Sequence, residues 1–191
     1  MYMLQEILRV DPSRLQEAHD RLAWIHGLMS KHTGFVRASV SKAPGNETDH
    51  LILRAWNSED AFRTFRATDD GQGYSRNRPA GLYEGLPVGR AWELVGESGG
   101  DGGVYLMRCI GGVAEARRDA FIGGLKQLRL DGDASLQVWR CLDESPEHAG
   151  SFLALVRTSD EQALKDALDA LPDFDTLTSS DAWSLVHESL P

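Results

Sequence analysis

Only two cysteines, Cys109 and Cys141, occur in 191 residues. That is too few for a disulfide framework, and both read as small core residues in a reducing compartment. No apolar run approaches the roughly 20 residues that span a bilayer. The opening Met1-Tyr2-Met3-Leu4-Gln5-Glu6 has neither a basic n-region nor an apolar h-region, so no signal peptide is expected. Positive charge is scarce too: 20 Lys and Arg stand against 29 Asp and Glu, a net charge of −9. Such a surface repels phosphate backbones, which argues against a nucleic-acid partner. Cys-x-x-Cys spacing, a phosphate-binding glycine loop and a nucleophile elbow are all absent; "GESGGDGG" (96–103) reads as a linker. A cytoplasmic protein without membrane or nucleic-acid partners is expected.

The chain repeats itself. "AWELVGES" (91–98) returns as "AWSLVHES" (182–189), with six of eight letters identical. The segments before each ending follow one order. In the first half, Tyr2–Val10 predicts a strand. Asp11-Pro12 then gives an N-cap and a proline at the first helical position. Leu15, Ala18, Leu22, Ile25 and Met29 recur at helical spacing, and Gly34 stops the helix. Phe35–Lys42 and His50–Trp56 predict strands around a Pro44-Gly45-Asn46 turn. Ser58 caps a second helix carrying Phe62 and Phe65; a long polar segment leads to the strand Arg90–Glu97. In the second half, strands are predicted at Val104–Ile110, Leu136–Leu142, Phe152–Arg157 and Ala182–Glu188. The Leu136–Leu142 and Phe152–Arg157 strands flank a Glu144-Ser145-Pro146 turn. One helix covers about Val113–Leu128, and another follows a Ser159/Gln162 capping box.

Each half is thus βαββαβ, which makes a four-stranded antiparallel sheet with both helices on one face. The bare sheet faces need a cover. The expected fold class is α+β, with two ferredoxin-like repeats packed sheet to sheet as a single-chain pseudo-dimeric α/β barrel. The expected boundaries are 1–98, a Gly-rich linker at 99–103, and a diverged repeat at 104–191. Aligning Leu51-Ile52-Leu53 with Phe152-Leu153-Ala154 gives an offset of 101 against 91 for the closing strands. The first half therefore carries ten extra residues between its second helix and its last strand, and Trp56 is matched to Arg157. The closing-strand differences, Glu93 to Ser184 and Gly96 to His187, are expected to carry no chemistry.

The stretch "HTGFVRASVSKAPGNETDHLILRAWNSEDAFRTF" (32–65) resembles the antibiotic biosynthesis monooxygenase domain of the dimeric α/β-barrel superfamily. Gly34-Phe35 opens the second strand, Trp56 ends the third, and Ser58-Glu59-Asp60-Ala61-Phe62 starts a helix. The resemblance covers residues 1–97; the second half matches by topology. It implies a pocket between helices and sheet, with Trp56 beside it, and it leaves the activity open, since fold alone does not give function. Haem-degrading members of the superfamily carry a helix-two Trp and an axial His further along. Here the helix-two aromatic is Phe65, and no His lies between His50 and His148. Only His19 or His26 remains as an iron ligand, and no metal or cofactor is expected.

His19 and His26, seven residues apart on helix one, lie nearly on one line beside the Leu15/Leu22 stripe. A near-neutral imidazole there can take a proton from a phenol, so both are candidate catalytic bases. Trp56, Phe65, Tyr74, Arg76 and Tyr83 are the candidate substrate-binding residues. Tyr74, Arg76, Arg78, Tyr83 and Arg90 lie on the long polar segment, placed to act as a lid over an anionic enolate or carboxylate. The expected function is cofactor-independent oxygenation of a small aromatic or polyketide-like compound in the first repeat, with the second repeat as scaffold. The alternative is a non-catalytic small-ligand-binding or interaction protein of the same fold. The expected partner is a small hydrophobic or aromatic molecule; the assembly is a monomer with an internal pseudo-two-fold axis, or a homodimer of such chains.

Overall fold

The computed structural model describes residues 1–85, 87–99, 103–127, 134–143, 145, 148–160, 162, 164 and 173–191. Among them are eight strands and four α-helices. The first repeat runs β1 (Tyr2–Arg9), α1 (Leu15–Met29), β2 (Phe35–Ala43), β3 (Asn46–Trp56), α2 (Glu59–Ala67), α3 (Asp69–Arg76) and β4 (Val88–Gly99). The second runs β5 (Tyr105–Gly112), α4 (Arg118–Gln127), β6 (Ser135–Cys141), β7 (Ser151–Thr158) and β8 (Thr176–Ser189). The helix expected after Ser159 lies outside the described residues apart from Gln162 and Leu164, which are helical. Gly100-Asp101-Gly102 of the linker, Leu128, Glu144 and Pro146 also lie outside them. The fold class read from the repeat, α+β built from ferredoxin-like units, is the class observed.

The chain divides into two compact units, Met1–Gly89 with Leu185–Pro191, and Arg90–Ser184. These units do not follow chain order, because each closing strand changes unit along its length. In the first unit the strand order is β1-β3-β2-β8; in the second it is β8-β5-β7-β6-β4. The named ladders are antiparallel: Glu6 opposes Ile52 and Leu8 opposes His50 in the first unit, and Cys109 opposes Ala154 in the second.

Local chemistry explains the elements that frame the site. Asp11 accepts from the Ser13 amide and starts a 3-10 turn, Pro12–Arg14, that leads into α1. Ala18, Leu22, Ile25, His26 and Met29 form the buried face of α1. Leu22 packs with Leu8, Val40 and Ile52, so the even-numbered residues of β1 and β3 face the helix. Each such large aliphatic side chain contributes about 1.5–3 kcal/mol by burial. The Ser58 hydroxyl caps α2 through the Ala61 amide. Gly34 sits at φ +89°, and a Cβ there would lie 2.6 Å from Ala61 Cβ, so only glycine lets α2 come this close.

The long polar segment holds a helix that its composition hides. Thr68 caps α3 through the Gly71 amide. A Cβ on Gly71 would stand 2.4 Å from the Phe65 carbonyl, so the glycine that weakens helix propensity is what lets α3 dock on α2. The chain beyond α3 is tied down rather than free to act as a lid. Tyr83 bridges Val10, the Asp11 amide donates to the Leu82 carbonyl, and the Glu84 amide donates to the Arg9 carbonyl. Leu82 is fully buried with Val10 and Ala18.

The second unit packs Phe121 of α4 against Cys109, Leu136, Val138, Phe152, Ala154 and Val156. On β7 the even-numbered residues therefore face the helix. An offset of 101 maps helix-facing Ile52 and Trp56 onto the opposite face of the sheet, at Leu153 and Arg157. The helix-start signals restore parity: Ser58 caps α2, and Asp160 accepts from the Gln162 amide. In that register Trp56 corresponds to Thr158, and Tyr2 opposite Trp56 corresponds to Tyr105 opposite Thr158. The pairing of Trp56 with Arg157 was a one-residue slip. Among the described residues no helix is long and apolar enough to cross a membrane.

Candidate functional site

A cavity of about 200 Å³ opens in the first unit between β1, α1, α3 and the tied-down segment. Glu6 of β1, Arg21 of α1, Arg66 of α2, Tyr74 of α3, and Arg78 and Tyr83 beyond it form its polar and aromatic lining. Three guanidiniums face one carboxylate here, in a protein of net charge −9. The cations are held in place. Arg21 Nη2 donates to the Tyr74 carbonyl at 2.8 Å, and its guanidinium lies 4.9 Å from the Tyr74 ring centre. Arg78 lies 4.9 Å from the Tyr83 ring and donates to the Gly85 carbonyl.

Behind the cavity runs a buried polar chain. Glu6 forms an ion pair with Arg54 of β3, whose side chain is 2% exposed. Arg54 Nε donates to His26 Nε2 at 3.2 Å. That bond leaves the His26 lone pair on Nε2 and, in the neutral ring, the proton on Nδ1. Burial, the Arg54 cation and His187 together hold the His26 pKa far below the ordinary histidine range. His187 stacks on His26 at 6.2 Å with an angle of 13°. Two turns along α1 and two strand repeats along β3, His19 Nε2 meets His50 Nε2 at 2.8 Å, and His50 Nδ1 contacts the Thr48 carbonyl at 3.0 Å. A carbonyl only accepts, so His50 donates through Nδ1 and accepts at Nε2 from His19. Burial lowers the His50 pKa as well. The geometry is simple: seven residues along a helix match four along a strand, so His19 and His26 face His50 and Arg54.

Several polar atoms of the first unit are buried without a hydrogen-bond partner: Arg21 Nε, Arg54 Nη2, His26 Nδ1, Tyr83 Oη and Gln5 Oε1. Four of these are donors. Burial, with the charge of Tyr74, pushes the Tyr83 pKa up to about 12 against the pull of the surrounding arginines. Tyr83 is thus a neutral phenol with a proton to give. Unpaired buried donors cost about 1–3 kcal/mol each, and a native fold carries few.

The sequence-derived candidates divide sharply. Tyr74 and Tyr83 line the cavity, and so does Arg78. Arg76 does not; it is exposed on α3 and donates to Gln72 on its own helix. Trp56 is fully buried in an aromatic cluster, edge-on to Phe35 at 5.4 Å and stacked on Phe65 at 5.3 Å. It fills the space between β3 and α2 instead of walling the cavity, and Phe65 packs with it. His26 and His19 do not line the cavity either. A base beside Arg54 gains a second positive charge on protonation, which argues against proton abstraction by His26. Nε2 of both histidines is already engaged, so neither ring offers that nitrogen to haem iron. Among the described residues no group of three or more His, Cys, Asp or Glu is placed to hold a metal. Sequence reasoning missed Glu6, Arg21, Arg54, His50 and His187. An Arg or Glu inside a strand that is otherwise apolar was the available signal for Arg54 and Glu6. His187, taken as a silent difference between the closing strands, contacts the buried histidine.

Residues 1–76 match the profile of the antibiotic biosynthesis monooxygenase family. No curated protein matches the chain significantly. Among solved structures, a provisionally assigned monooxygenase from Fusobacterium nucleatum is similar over 99% of this chain and 94% of its own, with a TM-score of 0.74 and 9% identity. One from Lactobacillus acidophilus is similar over 99% and 95%, with a TM-score of 0.69 and 9% identity. An anthrone oxidase-like protein is similar over 99% and 92%, with a TM-score of 0.66 and 13% identity. The whole chain therefore shares the fold of these proteins, and its first 76 residues carry the antibiotic biosynthesis monooxygenase match that the Gly34-Phe35, Trp56 and Ser58–Phe62 motifs foretold.

Proposed function

We propose that the chain is a monooxygenase that needs no metal or flavin and acts on a small aromatic compound in the first-unit cavity. One observation carries this reading: Tyr83 and Arg21, which line a cavity flanked by two tyrosine rings, each hold a buried donor without a partner, Tyr83 Oη and Arg21 Nε. Donors aimed at an oxygen that gains negative charge stabilise an enolate or phenolate. Such a carbanion reduces oxygen itself. A ring CH2 loses one proton, its carbon bonds to one oxygen atom of O2, and loss of the second proton with water leaves C=O. The four electrons lost by carbon are those gained by O2.

Within this reading Tyr74 and Tyr83 hold the ring, Tyr83 and Arg21 hold the developing anion, and His26 fixes Arg54 behind Glu6. Trp56 and Phe65 brace β3 against α2. His19 stands outside the cavity lining, and its Nε2–H donates to His50 Nε2, which ties α1 to β3. The second reading, a binding protein without turnover, is favoured by the pairing of Glu6 with Arg54, which occupies the cavity's one carboxylate. Oxygen uptake separates the two. With anthrone and naphthol panels, wild type should consume O2, and Tyr83→Phe should reduce kcat by tenfold or more. A wild type that leaves O2 untouched with every member is a binding protein.

A further inference from the structure

The same cavity carries information about its ligand, and the inference below rests on that site but not on turnover. Its lining is cationic where the rest of the protein is acidic. Arg21, Arg66 and Arg78 face Glu6 alone, and Glu6 already has Arg54. Arg54 Nη2, in a side chain 2% exposed, has no partner; nor do Arg21 Nε and the Tyr83 hydroxyl. Two of these three donors belong to residues that line the space of about 200 Å³, and Arg54 stands behind Glu6. That is below the roughly 300–1,000 Å³ of pockets for drug-sized ligands, so one or two fused rings fit. Leu8 and the Tyr74 and Tyr83 rings supply an apolar wall that a bare inorganic anion would leave unused. A neutral phenol would have to be ionised inside, yet the described residues of the lining include no uncommitted base.

We infer that the cavity binds a compound already anionic at neutral pH, a one- or two-ring aromatic carboxylate. Its carboxylate takes the hydrogen bonds that Arg21 Nε and Tyr83 Oη now lack, and its ring lies against Tyr74 and Tyr83. Arg66 and Arg78 raise the local concentration of such anions, so binding weakens with added salt.

Calorimetric titration of the full chain with 2-naphthoate, its neutral isostere 2-naphthamide, and inorganic phosphate tests this directly. Naphthoate should bind at least tenfold tighter than naphthamide, and phosphate should not displace it. Arg21→Gln and Tyr83→Phe should each weaken naphthoate binding roughly tenfold, the scale of one charge-assisted hydrogen bond. If Arg21→Gln loses its fold by circular dichroism, Tyr83→Phe, which removes one unpartnered oxygen, carries the test alone. Equal binding of naphthamide, displacement by phosphate, or naphthoate binding that ignores the Tyr83 substitution overturns the inference. Naphthoate binding with no oxygen uptake upholds it while removing the oxygenase reading. Oxygen uptake from neutral phenols with no naphthoate binding does the reverse.

Discussion

Where the first unit sets Glu6 and Arg54 on the helix-facing side of β1 and β3, the second sets Cys109 and Val156. Where β3 carries His50, β7 carries Phe152. The backbone register is the same: Glu6 opposes Ile52 as Cys109 opposes Ala154, and Leu8 opposes His50 as Gly111 opposes Phe152. The second unit thus spends these positions on an apolar core of Cys109, Phe152, Ala154 and Val156 around Phe121. The first unit spends them on an ion pair, two histidine contacts and several unpaired donors. One fold therefore tolerates either choice, and the costly polar choice sits next to the cationic cavity. Groups that cost stability in one copy and are replaced by hydrophobics in the other support the proposal that the functional site lies in the first unit.

This contrast can be broken by exchanging the residues. The largest effect is expected for Arg54→Val alone, which strands Glu6 and His26. Removing one partner of a buried pair costs about 3–5 kcal/mol, visible as a lowered urea midpoint. Glu6→Cys with Arg54→Val, copying the second unit, should recover most of that loss, because an apolar pair of similar volume is near neutral or better. No recovery would mean that the two units pack this layer differently. Next in size is the response to acid. His26 and His50 are held neutral, with folded pKa values below the unfolded 6.5. The unfolded chain then binds more protons between the folded and unfolded pKa values, so stability is full above pH 6.5 and lost as pH falls below it. The slope is at most about 1.4 kcal/mol per pH unit for each histidine. Urea midpoints from pH 7.5 to 5 should show it, and His50→Phe, the second unit's residue, should reduce it.

Trp56→Phe tests the aromatic cluster between β3 and α2. A smaller ring in a fully buried cluster should cost about 1–3 kcal/mol, as large-to-small core changes do. Naphthoate affinity should stay within twofold, because Trp56 does not line the cavity; a larger change would return Trp56 to the site. The smallest effect belongs to Arg76→Ala. Its one hydrogen bond is exposed on α3, so stability should move by less than about 0.5 kcal/mol and binding not at all.

Much of this architecture was legible in the residues. The twin endings gave the repeat, Asp11-Pro12 and Ser58 gave the helix starts, and the Leu15–Met29 spacing gave the buried face of α1. The misses have physical causes. Leu51-Ile52-Leu53 and Phe152-Leu153-Ala154 are buried on both faces of their sheets, so no alternation of polar and apolar residues fixed their parity. The register slipped by one as a result. α3 was hidden by Gly71 and Gly73, residues that argue against a helix; the close approach to Phe65 accounts for Gly71, and nothing crowds Gly73. Tyr74 and Tyr83 were found because aromatic residues in a polar segment stand out. Arg21, Arg54 and His187 were not, since only folding brings a helix cation, a strand cation and the far end of the chain to one place.

The proposed anion site belongs to the first unit alone, so the stoichiometry of 2-naphthoate binding is the decisive measurement. One site per chain is expected, abolished or weakened at least tenfold by Arg21→Gln in a protein that remains folded. Two equivalent sites per chain, or one site indifferent to that substitution, would contradict it.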